Sequence, residues 1–194
     1  MSRPDLPSFA PRPSPVLPLD APSPASRWQR IQGYRLFWWL ALAVFGLDQF
    51  TKTWIALTIP FDGDHYHTHP VTVIDGFFYL IHVGNTGAAW SLFTGQTTLL
   101  ALLALLTLAG IYYWRQALEL HLRPVQLAFG LLCGGVIGNL LDRVIHGHVI
   151  DFIDLHFGDY IYPTFNVADA GICIGVTIYL IHSLRQSPQP NAKA

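Results

Sequence analysis

Four aspartates set in or beside apolar stretches carry most of the chemistry in this chain: Asp48, Asp142, Asp151 and Asp169. Lys52, Asn85, Asn139, Arg143 and Asn166 accompany them. Charged groups in greasy segments are rare and usually functional. Two carboxyls held close together cannot both ionise cheaply, so such a pair keeps one proton near neutral pH and offers one acid and one base. The base activates a water, and the acid protonates a carbonyl oxygen or a leaving amine. That is peptide hydrolysis without a metal and without a Ser or Cys nucleophile.

Each of these residues also has a plainer role open to it. Asp48 and Lys52 in "LDQFTK" are four apart, share a helix face and can pair. Such a pair either ties helices together or borders a polar site. In "GNLLDR", Asp142 suits a salt bridge or helix-end cap, and Arg143 suits a carboxylate partner or a substrate carbonyl. In "FNVADA", Asn166 stands three residues before Asp169, the spacing of a reciprocal helix cap. Asp151 alone is an ordinary loop acid. In "HVGNTGAAWSLF", Asn85 and Gly87 are placed to form a turn facing an extended peptide, with Ala88 and Ala89 leaving room, although a plain loop entering a helix reads equally well. His65, His67 and His69 alternate in "DGDHYHTHP" and would share a strand face as metal ligands do, but no further ligands accompany them, so a solvated loop and no metal are expected.

The elements that must position these groups are membrane-like. The chain is 52% hydrophobic and 12% charged, against about 25% charged in soluble domains. Thr97–Trp114 and Val125–Leu141 are uncharged runs of 18 and 17 residues, close to the ~20 that cross a bilayer. Leu36–Leu47, continuing past Asp48 and Lys52, and Ala170–Leu184 supply two more. The expected fold is an all-α integral membrane protein of four transmembrane helices, at about 35–59, 97–117, 124–143 and 166–185, with a small extracytoplasmic β-hairpin/loop region. The hairpin is expected in "HPVTVIDGFFYLIHV", turning at Asp75-Gly76, and 144–165 is expected to be loop. Gly130, Gly134 and Gly138, with Gly171 and Gly175, are spaced for close helix packing. Cys133 and Cys173 fall within expected spans and read as small apolar filler.

Residues 1–33, with eight prolines before residue 31, read as a disordered tail, 34–186 as the four-helix unit and 187–194 as a second tail. Nine of the eleven Lys and Arg residues fall on one side of the four spans, Lys52 and Arg143 being the exceptions. Both termini are therefore expected in the cytoplasm, with 60–96 and 142–166 facing outward. Asp48, Asn139, Arg143, Asp151, Asn166 and Asp169 then meet at one outward depth, which favours a site at that surface. A transporter would place its charges nearer the midplane, on broken helices in repeats. A purely structural membrane protein has no need of so many polar groups at one level.

The ordered set "LDQFTK", "GNTGAAWS", "GNLLDRVIHGHVIDFID" and "FNVADA" resembles the lipoprotein signal peptidase (signal peptidase II) family of bacterial membrane aspartic proteases, over about residues 35–185. The resemblance implies that Asp151 and Asp169 are the catalytic dyad, rather than Asp142, and that Asp48, Lys52, Asn85, Asn139, Arg143 and Asn166 line or support the site. It implies a diacylglyceryl-modified prolipoprotein as substrate, cut N-terminal to the lipidated Cys, and no cofactor. The implied partners are those precursors and membrane lipid, without nucleic acid, and the chain is expected to act as a monomer. The implied location is the bacterial cytoplasmic (inner) membrane, with multiple passes and the active site at the outer face. Trp90 departs from the Phe usual in the family, the Pro-rich tail carries no family motif, and 60–96 is expected to act as a lid.

Overall fold

In the computed structural model the described residues are 33–63 and 69–185. The expected tails, apart from Gly33, and His65 and His67 lie outside them. Helix α1, Arg35–Thr58, is 24 residues long, about 36 Å at 1.5 Å per residue. Its polarity is inverted relative to a soluble helix: Asp48 and Lys52 are buried, while Trp39, Phe50 and Leu57 are exposed. Helix α2, Thr97–Tyr113, has no buried residue. It stops short of the expected residue 117, giving way to turns in which Glu119 adopts a φ of 55°. Helix α3, Arg123–His146, carries Pro124 in its first turn, where no backbone donor is needed. It ends on Gly147, whose φ of 75° is the left-handed cap that glycine accepts without strain. Helix α4 is Val167–Arg185. By length and composition, α3 and α4 are apolar enough to cross a bilayer.

Helix α3 is the central element, packed on both α1 and α4. Its glycine stripe makes this possible. A Cβ on Gly134 would lie 2.6 Å from the Ala41 carbonyl, and one on Gly130 would lie 2.9 Å from that of Phe37. On the opposite contact, a Cβ on Gly175 of α4 would lie 2.5 Å from the Ala128 carbonyl. Backbones this close leave no space for side chains between them.

Four strands form one antiparallel sheet in the order β1-β2-β3-β4: Val71–Ile74, Phe78–Asn85, Val149–Phe157 and Tyr160–Phe165. The first pair is the expected hairpin, turning through Gly76. The second pair corrects the all-α expectation, because the stretch 144–165 is largely strand. In β3 the period-2 pattern is hidden by burial on both faces: Val149, Ile150, Asp151, Phe152 and Asp154 are all buried. Ile150 and Phe152 pack with Ile55 and Ile59, which joins the sheet to the end of α1. Leu120, Val125 and Phe129 form a second core around the start of α3. Thr97 Oγ1 donates to the Gly147 carbonyl at 2.8 Å and fixes the start of α2 against the end of α3.

Candidate active site

Asp151 is the third residue of β3, where it pairs with Val83 of β2. Asn85 lies two residues beyond Val83, on the same side of the strand, and its Nδ2 donates to Asp151 Oδ2 at 2.9 Å. Asn166, immediately before α4, donates from Nδ2 to Asp151 Oδ1 at 2.7 Å. The same Asn166 caps α4: its Oδ1 accepts from the Asp169 N–H at 2.9 Å, and its own N–H donates to Asp169 Oδ2 at 3.3 Å. The reciprocal cap is therefore present. It does not compete with a second role for Asp169, because the other oxygen, Oδ1, accepts from Asn139 Nδ2 at 2.7 Å. Asn166 thus binds both acids at once and holds them beside each other.

Asp151 is 2% exposed. Burial, and then the charge of Asp169, push its carboxyl up from 3.8 to about 7, against the lowering effect of its hydrogen bonds from Asn85 and Asn166. Asp151, Asp169, Asn139, Asn85 and Arg143 all line one cleft of about 890 Å³, a volume suited to a peptide-sized ligand. The same cleft is also lined by the apolar or aromatic side chains of Trp90, Leu155, Phe157, Ile161, Tyr162 and Ile172. Its lining therefore combines polar groups with apolar ones.

Asp142 is engaged elsewhere. Its Oδ2 meets Lys52 Nζ at 2.8 Å and accepts from the Ile150 N–H at 3.2 Å, while Oδ1 accepts from Gln49 Nε2 at 3.0 Å. It is 2% exposed and does not line the cleft. Lys52 also pairs with Asp48 Oδ2 at 2.8 Å. Asp48 Oδ1 accepts from the Ala168 N–H at 2.9 Å, which anchors the start of α4, where the helix dipole favours a carboxylate. Arg143 Nη2 donates to the Gly87 carbonyl at 2.8 Å. Asn85 Oδ1 accepts from the Gly87 N–H at 2.8 Å, so the expected turn forms and Arg143 holds it in place.

These interactions bring together Asp48, Lys52, Asn85, Asn139, Arg143, Asp151, Asn166 and Asp169. A profile of the family described as Signal peptidase (SPase) II matches residues 40–185. The chain belongs to this family. It is 39% identical over 145 residues to the lipoprotein signal peptidase of Bacillus pumilus (strain SAFR-032), spanning 75% of this chain and 90% of that one. With the lipoprotein signal peptidase of Bacillus subtilis (strain 168) the identity is 36% over 152 residues, spanning 78% and 95%. A solved structure, described as a bacterial membrane enzyme obtained by the in meso method, superposes with a TM-score of 0.69 at 33% identity, covering 80% of this chain and 92% of that one. A second of the same description gives 0.64 at 32%, covering 77% and 92%.

Family membership makes the chain a protease, and the site's wider surroundings add residues that the sequence reading passed over. Gln49 is the main one: its Nε2 also donates to Asp48 Oδ2 at 3.2 Å and to the Gly138 carbonyl at 3.3 Å. It stands inside "LDQFTK", and a polar amide in an apolar helix was the available signal. Asp154, at the end of "GNLLDRVIHGHVIDFID", is fully buried and lies 2.8 Å from His156 Nε2. Of the alternating histidines, His69 lies 3.0 Å from Asp62 Oδ1. Among the described residues no group of three or more His, Cys, Asp or Glu is arranged to hold a metal ion. Cys133 is buried, and Cys173 is exposed along the cleft; both are free thiols.

Proposed function

We propose that Asp151 and Asp169 are the catalytic dyad of a membrane endopeptidase that removes signal peptides from diacylglyceryl-modified prolipoproteins, cutting N-terminal to the lipidated Cys. The observation that carries this reading is that two carboxylates from different elements share Asn166 and open onto one cleft. The ionised member takes a proton from a water between them, and the resulting hydroxide attacks the scissile carbonyl carbon. The protonated member donates to the carbonyl oxygen, giving a tetrahedral diol. On collapse, one diol hydroxyl gives its proton to the ionised carboxylate as the carbonyl re-forms, the C–N bond breaks, and the protonated carboxyl's proton passes to the leaving amine, so the pair again holds one proton. The released products are a signal peptide with a new carboxylate and a lipoprotein with a free Cys amine.

Lys52, Asp48, Asn85, Asn139, Asn166 and Arg143 support the pair. Arg143 and the turn at Asn85–Gly87 position the extended substrate backbone. The four helices cross the bacterial inner membrane with both termini in the cytoplasm, 34–186 forming the peptidase unit, and the sheet and cleft lie at the outer face. The lipid chains and signal helix of the precursor then stay in the bilayer while its scissile bond reaches the acids. The exposed apolar surfaces of α1 and α2 support this placement. The monomeric chain, without cofactor, suffices for the reaction. Incubation of the purified chain with a lipidated prolipoprotein tests the proposal. Mass spectrometry should find a free lipidated Cys at the new N-terminus. Cleavage elsewhere, or of the unlipidated precursor at equal rate, would overturn it.

A further inference from the structure

The hydrogen bonds around Asn139 run in one direction. Lys52 Nζ donates to Asn139 Oδ1 at 2.9 Å, and Asn166 Nδ2 donates to the same oxygen at 3.3 Å. With its oxygen so occupied, Asn139 presents Nδ2 to Asp169 Oδ1 at 2.7 Å. Flipping this amide would set an oxygen against a carboxylate and an NH₂ against an ammonium, so both contacts would become repulsive. Lys52 is itself held by its contacts. It is 1% exposed, and its three ammonium protons have three acceptors, in Asp48, Asp142 and Asn139. It does not line the cleft, so it meets the reacting atoms only through Asn139.

Resting on the dyad reading above, we propose that Lys52 is a positioning residue for the hydrolysis. It locks the Asn139 amide in the orientation that donates to Asp169 and places a positive charge behind that amide, which holds the aspartate pair in its singly ionised state. The charges facing this cluster are Asp48 on α1, Asp142 and Arg143 on α3, Asp151 on β3 and Asp169 on α4, with His148 at the foot of β3 facing Asp142. Lys52 and Arg143 are the cations among them. The ammonium opposes the burial and the Asp169 charge that raise the Asp151 carboxyl. Removing it therefore makes protons harder to release from the pair. Both limbs of the pH–rate profile, which report the pair as a unit, move to higher pH.

The test compares wild type, Lys52→Met and Asp169→Asn on a lipidated prolipoprotein from about pH 5 to about pH 9, with rates normalised to the folded fraction. The expected result for Lys52→Met is a kcat at least about ten-fold lower at neutral pH, a KM changed by less than about three-fold, and a pH optimum about one unit higher. Where Lys52→Met does not fold, Lys52→Met/Asp142→Asn removes one of the orphaned acids and is read in the same way. An unchanged pH optimum, with activity lost only in proportion to folded protein, overturns the role of Lys52 while leaving the dyad standing. Activity in Asp169→Asn overturns the dyad reading and this inference with it.

Discussion

Replacing Asp151 by Asn is expected to raise the protein's stability at pH 8 as it removes the activity. The carboxyl is 2% exposed and rises from 3.8 to about 7 on folding, through burial and then the charge of Asp169. The folded state therefore holds this proton more tightly than the unfolded chain does. The resulting stability is fully present below about pH 4, falls as pH climbs towards 7 and is flat above that. A shift of about three units at 1.36 kcal/mol each amounts to about 4 kcal/mol lost between those limits. Asn at this position does not titrate. It does turn an NH₂ towards one of the two donors, Asn85 or Asn166, which costs about 1–2 kcal/mol. The net gain at pH 8 is about 2 kcal/mol, or about 4–8 °C in Tm for a chain of this size. Thermal unfolding in detergent, followed by the fluorescence of the six tryptophans, gives Tm for both proteins from pH 4 to pH 8. The wild type should fall relative to the variant as pH rises. A Tm difference that stays constant with pH would refute the reasoning, because it would mean that burial does not perturb this carboxyl.

Lys52→Met should destabilise the fold by about 3–5 kcal/mol, since it leaves Asp48 and Asp142 buried without their cation; adding Asp142→Asn should recover part of that loss in the same melting assay. Gly134→Ala drives a Cβ to 2.6 Å from the Ala41 carbonyl and should cost about 1–3 kcal/mol by forcing α1 from α3, measurable as a lower Tm. Trp90→Ala, on the apolar wall of the cleft, should raise KM several-fold and leave kcat within about two-fold, as read by steady-state cleavage. Chelation with EDTA should leave the turnover of the wild type unchanged.

Much of the site could be read from local spacing. The four-residue interval of Asp48 and Lys52 and the three-residue interval of Asn166 and Asp169 each imply one contact, and both contacts form. The glycine spacing likewise marks where α1 approaches α3, at Gly130 and Gly134, and where α4 does, at Gly175. Contacts that close over long sequence separations left no such trace. Nothing local says that Lys52 reaches Asn139 or Asp142 across helices, or that Gln49 bridges Asp48 and Asp142. The strands β3 and β4 were obscured for another reason. In β3 burial on both faces removes the alternation, and the acids within it look like loop residues, whereas β4 is short and carries Pro163. The choice of Asp151 over Asp142 came from resemblance rather than spacing. The geometry offers a physical ground for it: Asp142 is ion-paired with Lys52 and does not line the cleft, whereas Asp151 lines it.

The most direct measurement is cleavage of a lipidated prolipoprotein by wild type, Asp151→Asn, Asp169→Asn and Asp142→Asn, each shown to be folded by circular dichroism. The account predicts that the first two variants are folded and inactive and that Asp142→Asn keeps part of the activity. Cleavage by Asp151→Asn, alongside a folded but inactive Asp142→Asn, would contradict it and move the dyad to Asp142 and Asp169.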